Sequence, residues 1–169
     1  VGNMPTGSLV IVYKDQLCVA GISGRPDDLD ISSVVNTAGT AISWTSGNRR
    51  IRFNPEDSSN ITGLGVINGL LIVFKRFAMY TFNNAATQAD PLYRVGCSSH
   101  ESIAAADDTL FFFNQNGIYM TNGGKPIRIS RKVQRWIDGM SATYFANVSG
   151  ITDGLYYYCS IGDVTLEDG

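Results

Sequence analysis

The sequence predicts an all-β protein: a β-propeller, or part of one, built from short antiparallel four-stranded blades, with one amphipathic helix inserted at about residues 130–140. Three observations predict it. Four times an apolar segment meets a short turn led by a polar residue, and a Leu then opens a second apolar run. These leucines stand at 17, 70, 110 and 155, intervals of 53, 40 and 45 residues, which is the length of a propeller blade. Two of the turns carry Asn68-Gly69 and Asp153-Gly154, the pairs best suited to the positive φ angles of a tight hairpin. Finally, the composition is 44% apolar, only 17% charged, and includes 18 Gly, where about 25% charged is usual. Such a chain is neither disordered nor a coiled coil.

The first unit, near residues 8–46, opens with Leu9 to Tyr13, turns at Lys14-Asp15-Gln16 and continues Leu17 to Ala20. The stretch from Arg25 to Asn60 is the richest in Ser, Thr, Asn, Asp and Gly and is expected as a long loop or irregular blade. The second unit (60–97) has Leu64 to Ile67, the Asn68-Gly69 turn and Leu70 to Phe74, then Lys75-Arg76 before Phe77 to Phe82. The third (102–130) runs Ser102 to Ala106, Asp107-Asp108-Thr109, Leu110 to Phe113, and adds Ile118-Tyr119-Met120 and Ile127-Arg128-Ile129. The fourth (145–169) has Ala146 to Ile151, Asp153-Gly154 and Leu155 to Tyr158. The runs after the turns are continuous rather than alternating, as in strands covered on both faces, so those opened by Leu70, Leu110 and Leu155 are expected to be central and buried. Between the third and fourth units, Ser130 is a plausible N-cap. Val133, Trp136, Ile137 and Met140 then fall at helical spacing, ahead of which Gly139 marks the end. A β-sandwich would also show short strands, but it does not predict a turn-Leu-run recurring at blade-like intervals. Residues 1–169 are therefore read as one propeller-like domain or a fragment of a larger one. A fragment is the expectation, since the chain starts at Val1 and stops where a turn is beginning.

The charge balance, 13 basic against 15 acidic residues for a net −2, argues against a general nucleic-acid binder or a polybasic membrane face. The longest apolar run, Leu70 to Phe74, is far below the ~20 residues of a membrane helix, so no membrane insertion and no secretory leader are expected. Cys18, Cys97 and Cys159 are odd in number and far apart. They fit neither a disulfide framework nor a zinc site, and suit assembly in a reducing compartment.

No catalytic, cofactor-binding or metal site is expected. Ser98-Ser99-His100-Glu101 offers a nucleophile, a base and a carboxylate, but a triad converges from separate elements, and a polar turn is the better reading. Asp27, Asp28 and Asp30 lack the ligand spacing of a calcium loop and read as a solvated turn. The strings Phe111-Phe112-Phe113 and Tyr156-Tyr157-Tyr158 read as packing between blades, because successive side chains in a strand point to opposite faces. The most distinctive local feature is basic: Lys125, Arg128, Arg131, Lys132 and Arg135 fall within eleven residues, with no acid before Asp138. They are the candidate contacts to DNA phosphates or to an acidic partner subunit. On the expected helix Arg131 and Arg135 share a face opposite Val133, Trp136 and Ile137.

From Val95-Gly96-Cys97-Ser98 through Ile103, Leu110 to Phe113, Gly117-Ile118-Tyr119, Gly123-Gly124 and Ile129-Ser130 heading a helix, the pattern resembles the propeller proteins of short-tailed bacteriophage tails. Ile61 to Leu64, Leu70 to Lys75 and Met79-Tyr80 look like the preceding blade of that family. Its members include the nozzle (tail tubular protein B) and the tail hub or packaged-DNA stabilisation proteins. The resemblance covers about residues 60–140 and, more loosely, 8–46, and its motifs are hydrophobic-and-turn patterns. It implies a structural virion protein, not an enzyme, assembled in the bacterial cytoplasm and located in the tail. Its partners would be copies of itself in a ring (a hexamer by resemblance), the portal or adaptor, other tail proteins, and genomic DNA in passage, with a passive part in retention and ejection. The alternative from another class is a carbohydrate-binding or glycoside-cleaving β-propeller, which a paired-carboxylate funnel with exposed aromatics would mark.

Overall fold

The computed structural model describes residues 3–34, 42–45, 48–53, 59–82, 88–89 and 92–162. It is mostly β, organised as several small sheets whose pairing is almost wholly antiparallel. Four strands of the first sheet come in sequence order: β1 (Gly7–Tyr13), β2 (Gln16–Ile22), β3 (Asp28–Ile31) and β4 (Arg49–Phe53). The second sheet is β5 (Ile61–Ile67), β6 (Leu70–Lys75) and β7 (Met79–Phe82), with β6 in the middle. A two-residue strand, β8 (Gln88–Ala89), then returns to the first sheet and lies parallel to β4. The third sheet contains β9 (Ala104–Ala106), β10 (Thr109–Asn114), β11 (Gly117–Thr121) and β12 (Ile127–Arg128), ordered β12-β11-β10-β9. The last pairs β13 (Ser149–Thr152) with β14 (Tyr157–Ser160).

These sheets stack in the order of the chain, and strand periodicity makes the stacking possible. On β6, Leu71 and Val73 face the first sheet and join Leu9, Cys18, Leu29, Ile51 and Phe53 in one core. Ile72 and Phe74 face the other way and meet Leu110 and Phe112 of the third sheet. On β10 the alternation repeats. The Phe112 ring lies 4.7 Å from Phe74, while Phe111 stacks on Tyr157 at 5.2 Å and Phe113 lies 5.8 Å from Phe145. A strand covered on both sides needs apolar residues at every position, which is why these runs are continuous.

The hairpins that repeat in sequence lie side by side. Asn68 and Gly69 have φ of 49° and 71°, the signature of a type I′ turn, and Lys14 and Asp15 adopt the same geometry at 47° and 58°. The Tyr13 hydroxyl donates to the Gly69 carbonyl at 3.0 Å, and the Asn68 amide donates to the Asp108 and Asn122 carbonyls at 3.4 and 3.2 Å. Equivalent turns of the first three sheets are thus tied in register.

Several expectations need correction. The sheets hold five, three, four and two strands rather than a uniform four, and they close into no propeller or barrel among the described residues. The strands opened by Leu70 and Leu110 are central and buried, but Leu155 is 87% exposed in a turn, and β14 is half of a two-stranded ribbon. Within 25–60, expected as a long loop or irregular blade, the described residues include β3 and β4 of the first sheet, so the loop alternative does not hold there. Their sequences, Asp-Leu-Asp-Ile and Arg-Arg-Ile-Arg-Phe, obscure strand character because they are short and five of their nine residues are charged.

The inserted helix is also shorter and differently phased. A 3₁₀ turn, Ser130–Val133, leads into a single α-helical segment, α1 (Gln134–Asp138). Three residues per turn at the start rotate the stripe, so the inward positions are Ser130, Gln134 (half-buried), Ile137 and Met140. Val133 and Trp136, expected inside, are 44% and 42% exposed. Polar Ser130 and Gln134 can face inward because they bond to each other at 2.9 Å, and Gln134 also donates to the Asn116 carbonyl at 3.2 Å.

Two glycines separate backbone cost from steric cost. A Cβ on Gly69 would meet nothing within 4 Å, so Gly69→Val should lose only the penalty of placing a β-branched residue at positive φ, roughly 1 kcal/mol or more. In thermal unfolding that is a fall of about 2–4 °C for a chain of this size. A Cβ on Gly96 would overlap the backbone of Lys75, Arg76 and Ala78, so Gly96→Ala should cost several times as much. Equal effects at the two sites would remove this assignment.

Candidate functional site

The five basic residues singled out in the sequence lie along the open edge of the third sheet. β12 forms that edge, paired with β11 through Met120↔Ile127 and Tyr119↔Arg128. Lys125 precedes it at the Thr121 end, and the 3₁₀ turn and α1 follow at the Gly117 end, where Gln134 holds them to Asn116. All five are exposed, and none makes an ion pair among the described residues. The structure thus groups Arg131, Lys132 and Arg135 on one short helical segment with Arg128 beside it, and leaves Lys125 at the far end of the strand. Between the cations stand exposed Ile127, Ile129, Val133 and Trp136. The Arg135 guanidinium lies 5.4 Å from the centre of the Trp136 ring, a cation–π contact that fixes charge and ring together. Arg131 and Arg135 point outward as expected, but Val133 and Trp136 share their surface instead of opposing it.

The acidic cluster is not a solvated turn. Asp28 and Asp30 sit on β3 with their side chains buried, opposite Leu29 and Ile31. The antiparallel register sets Asp28 against Arg52 and Asp30 against Arg50, an arrangement of directly facing opposite charges. Arg50 Nε lies 2.7 Å from Asp30, Arg52 Nε 3.0 Å from Asp28, and Arg25 reaches Asp30 at 2.9 Å. Asp27 turns to the second sheet and meets Lys75 at 2.7 Å, where the lysine side chain is fully buried. The carboxylates are consumed by arginines and a lysine, and among the described residues no set of three or more His, Cys, Asp or Glu is placed to hold a metal ion. Burial alone would raise the Asp30 carboxyl, but hydrogen bonds from Arg50 and Arg25 and their charges outweigh it and leave it below the ordinary 3.8.

Ser98-Ser99-His100-Glu101 is built as a turn. His100 Nδ1 accepts the Leu64 N–H at 3.4 Å, Ser98 Oγ accepts from the Gln115 N–H at 3.1 Å, and Ser102 Oγ donates to Ser99 and accepts from the Phe113 N–H. The neighbouring Cys97 thiol is pushed up to about 11 by burial, against its hydrogen bonds with Ser102 and with backbone groups. Cys18 is pushed up to about 12, again by burial, against the charge of Arg49. Both are protonated at neutral pH and are poor nucleophiles.

One surface was not legible in the sequence. The inner side of the last sheet is filled: Tyr157 stacks on Phe111 and its hydroxyl donates to the Ser102 carbonyl at 2.6 Å. On its outer side Ile151 faces Tyr158, and these stand exposed with Leu155, Tyr156 and, nearby in the chain, Tyr144. The Asp153 carboxylate braces this corner by accepting the Tyr156 and Leu155 N–H groups and the Tyr158 hydroxyl, which hold it below the ordinary carboxylate range. An expectation of packed tyrosines therefore holds for Tyr157 and fails for Tyr156 and Tyr158.

No protein-family model matches the chain, and no curated protein matches it in sequence.

The carboxylate–arginine face has a pH consequence. Because the Asp30 carboxyl titrates lower in the folded chain than when unfolded, its stabilisation is complete above the ordinary value and is lost as pH falls through the lowered one. Asp30→Asn should cost about 1.5–3 kcal/mol at pH 7, the range for a hydrogen bond to a charged group. That difference should shrink in urea melts at pH 3 and below. A gap between the two proteins that is independent of pH would show that the arginines do not stabilise the Asp30 charge.

Proposed function

We propose that this chain is a structural component of a bacteriophage tail: a propeller-type module, one sector of a ring around the DNA channel, that acts passively in DNA retention and ejection. The observation that carries the reading is the unfinished stack. Three times a sheet is covered by the next through an apolar face, and the last sheet offers a face of the same kind, Ile151, Leu155, Tyr156 and Tyr158, which stands exposed among the described residues. An exposed apolar group of this size marks an interaction surface. Sheets that stack in chain order with their hairpins aligned are the arrangement of successive propeller blades, and the phage-tail resemblance covers the second and third sheets and, more loosely, part of the first. The low charge content suits surfaces buried in permanent assemblies.

On this reading the partners are other copies of the chain in a ring, hexameric by resemblance, together with the portal or adaptor and neighbouring tail proteins. The location is the virion, after assembly in the bacterial cytoplasm. No turnover, metal or cofactor is involved. A second reading, a carbohydrate-binding or glycoside-cleaving propeller, is favoured by one feature, the exposed Tyr144, Tyr156 and Tyr158. It is weakened by the carboxylates, since Asp28 and Asp30 are occupied by arginines.

Sedimentation velocity over a concentration series separates the two. The tail-component reading predicts oligomers at high concentration, and monomer for Ile151→Ser combined with Tyr158→Ser, with thermal unfolding lowered only by the loss of the exposed Tyr158–Asp153 hydrogen bond and the Ile151–Tyr158 pair. A chain that stays monomeric throughout, and binds glycans through Tyr158, overturns it in favour of the second reading.

A further inference from the structure

We infer that the short helical segment at 130–136 is a docking surface for an acidic protein segment that carries apolar side chains between its carboxylates. The inference rests on this surface alone and is independent of the tail reading. Arg131, Lys132 and Arg135 are exposed and make no ion pair among the described residues, whereas five other basic side chains, Arg25, Arg50, Arg52 and Lys75 by ion pairs and Arg76 by a hydrogen bond to Gln115, are engaged within the fold. The exposed cations lie within one turn or so of each other and call for negative charge.

The apolar side chains between them decide which kind of anion. Contacts to a nucleic-acid backbone are made by cations, hydroxyls, amides and backbone N–H groups. Setting Ile129, Val133 and Trp136 against phosphates would remove water from carbon without giving it an apolar partner. A protein segment supplies both halves: carboxylates for the cations, and aliphatic or aromatic groups for the exposed carbons. Trp and Arg are also the residues that most often dominate protein–protein binding, and Arg135 is already held against Trp136 at 5.4 Å, which lowers the cost of ordering both on binding. The helix itself is anchored from the opposite side by Ile137, Met140 and the hydrogen bond from Gln134 to the Asn116 carbonyl, so the outward face can meet a partner without rearrangement.

The test measures binding of the whole chain to three probes at low and physiological salt. They are a synthetic peptide with Leu and Phe placed among Glu and Asp, poly-glutamate of equal charge, and duplex DNA of random sequence. The mixed peptide should bind about tenfold more tightly than poly-glutamate, a difference of about 1.4 kcal/mol, and more tightly than DNA. Arg131→Glu with Arg135→Glu, and separately Trp136→Ala, should each weaken it at least tenfold while leaving thermal unfolding unchanged. DNA binding as tight as the peptide's and indifferent to Trp136→Ala would overturn the inference and identify a nucleic-acid contact. Failure of all three probes to bind at low salt, or peptide binding that neither variant weakens, would overturn it as well and leave a solvated face.

Discussion

Lys75 is the point on which three sheets converge. It ends β6 on the face that looks toward the first sheet, in line with Leu71 and Val73, and its fully buried ammonium meets Asp27 at 2.7 Å. Its backbone is equally committed: its N–H donates to Ala78 at 2.9 Å, closing the turn into β7, and its carbonyl accepts from Cys97 at 3.0 Å on the path to the third sheet. A buried ammonium is costly unless paired, so this position tolerates little relative movement of the first two sheets. Gly96 lies so close to the Lys75 carbonyl that no side chain fits there. One residue therefore sets both the spacing of the first pair of sheets and the approach of the third.

From that junction the rest of the architecture follows as alternation. Each interior strand presents one face backward and one forward, and the aromatic residues show it most plainly: Phe112 turns back to Phe74 while Phe111 and Phe113 turn forward to Tyr157 and Phe145. The outer face of the first sheet is closed differently, with Asp28 and Asp30 under a cover of arginines. At the other end, among the described residues, Tyr158 and Ile151 face outward and stand exposed. The two ends of the stack thus differ: the first sheet carries ion pairs over β3 and β4 beside exposed Val10 and Val12 on β1, whereas the outer side of the last sheet presents Ile151 and Tyr158.

The parts that sequence made legible are those where local chemistry and tertiary demand agree. Asn68-Gly69 forms the turn its residues favour, and the continuous runs after Leu17, Leu70 and Leu110 are interior strands because both their faces are covered. The rest was hidden for separable reasons. β3 and β4 read as a polar loop because half of their residues are charged, and only the register of Asp28 with Arg52 and Asp30 with Arg50 shows those charges cancelling. The helix was misphased because Ser130 and Gln134 satisfy each other and can turn inward, a pairing that hydrophobic periodicity does not register. The basic residues were visible as a run, but the apolar company they keep on the surface depends on which way Val133 and Trp136 point. Leu155 carries the same motif as its three predecessors and still lies outside a strand, exposed in the bend between β13 and β14.

The described sheets cover one another inside the stack and leave the outer side of the last sheet exposed, and amide hydrogen exchange on the isolated chain tests this most directly. Protection tracks burial and hydrogen bonding of the backbone. Amides of β2, β6 and β10 should be the slowest, and those of residues 149–160 the fastest of all the strands by several orders of magnitude, becoming slow only when the chain is assembled. Amides of β13 and β14 as well protected in the isolated chain as those of β10 would contradict the account, because they would show that the last sheet is already covered.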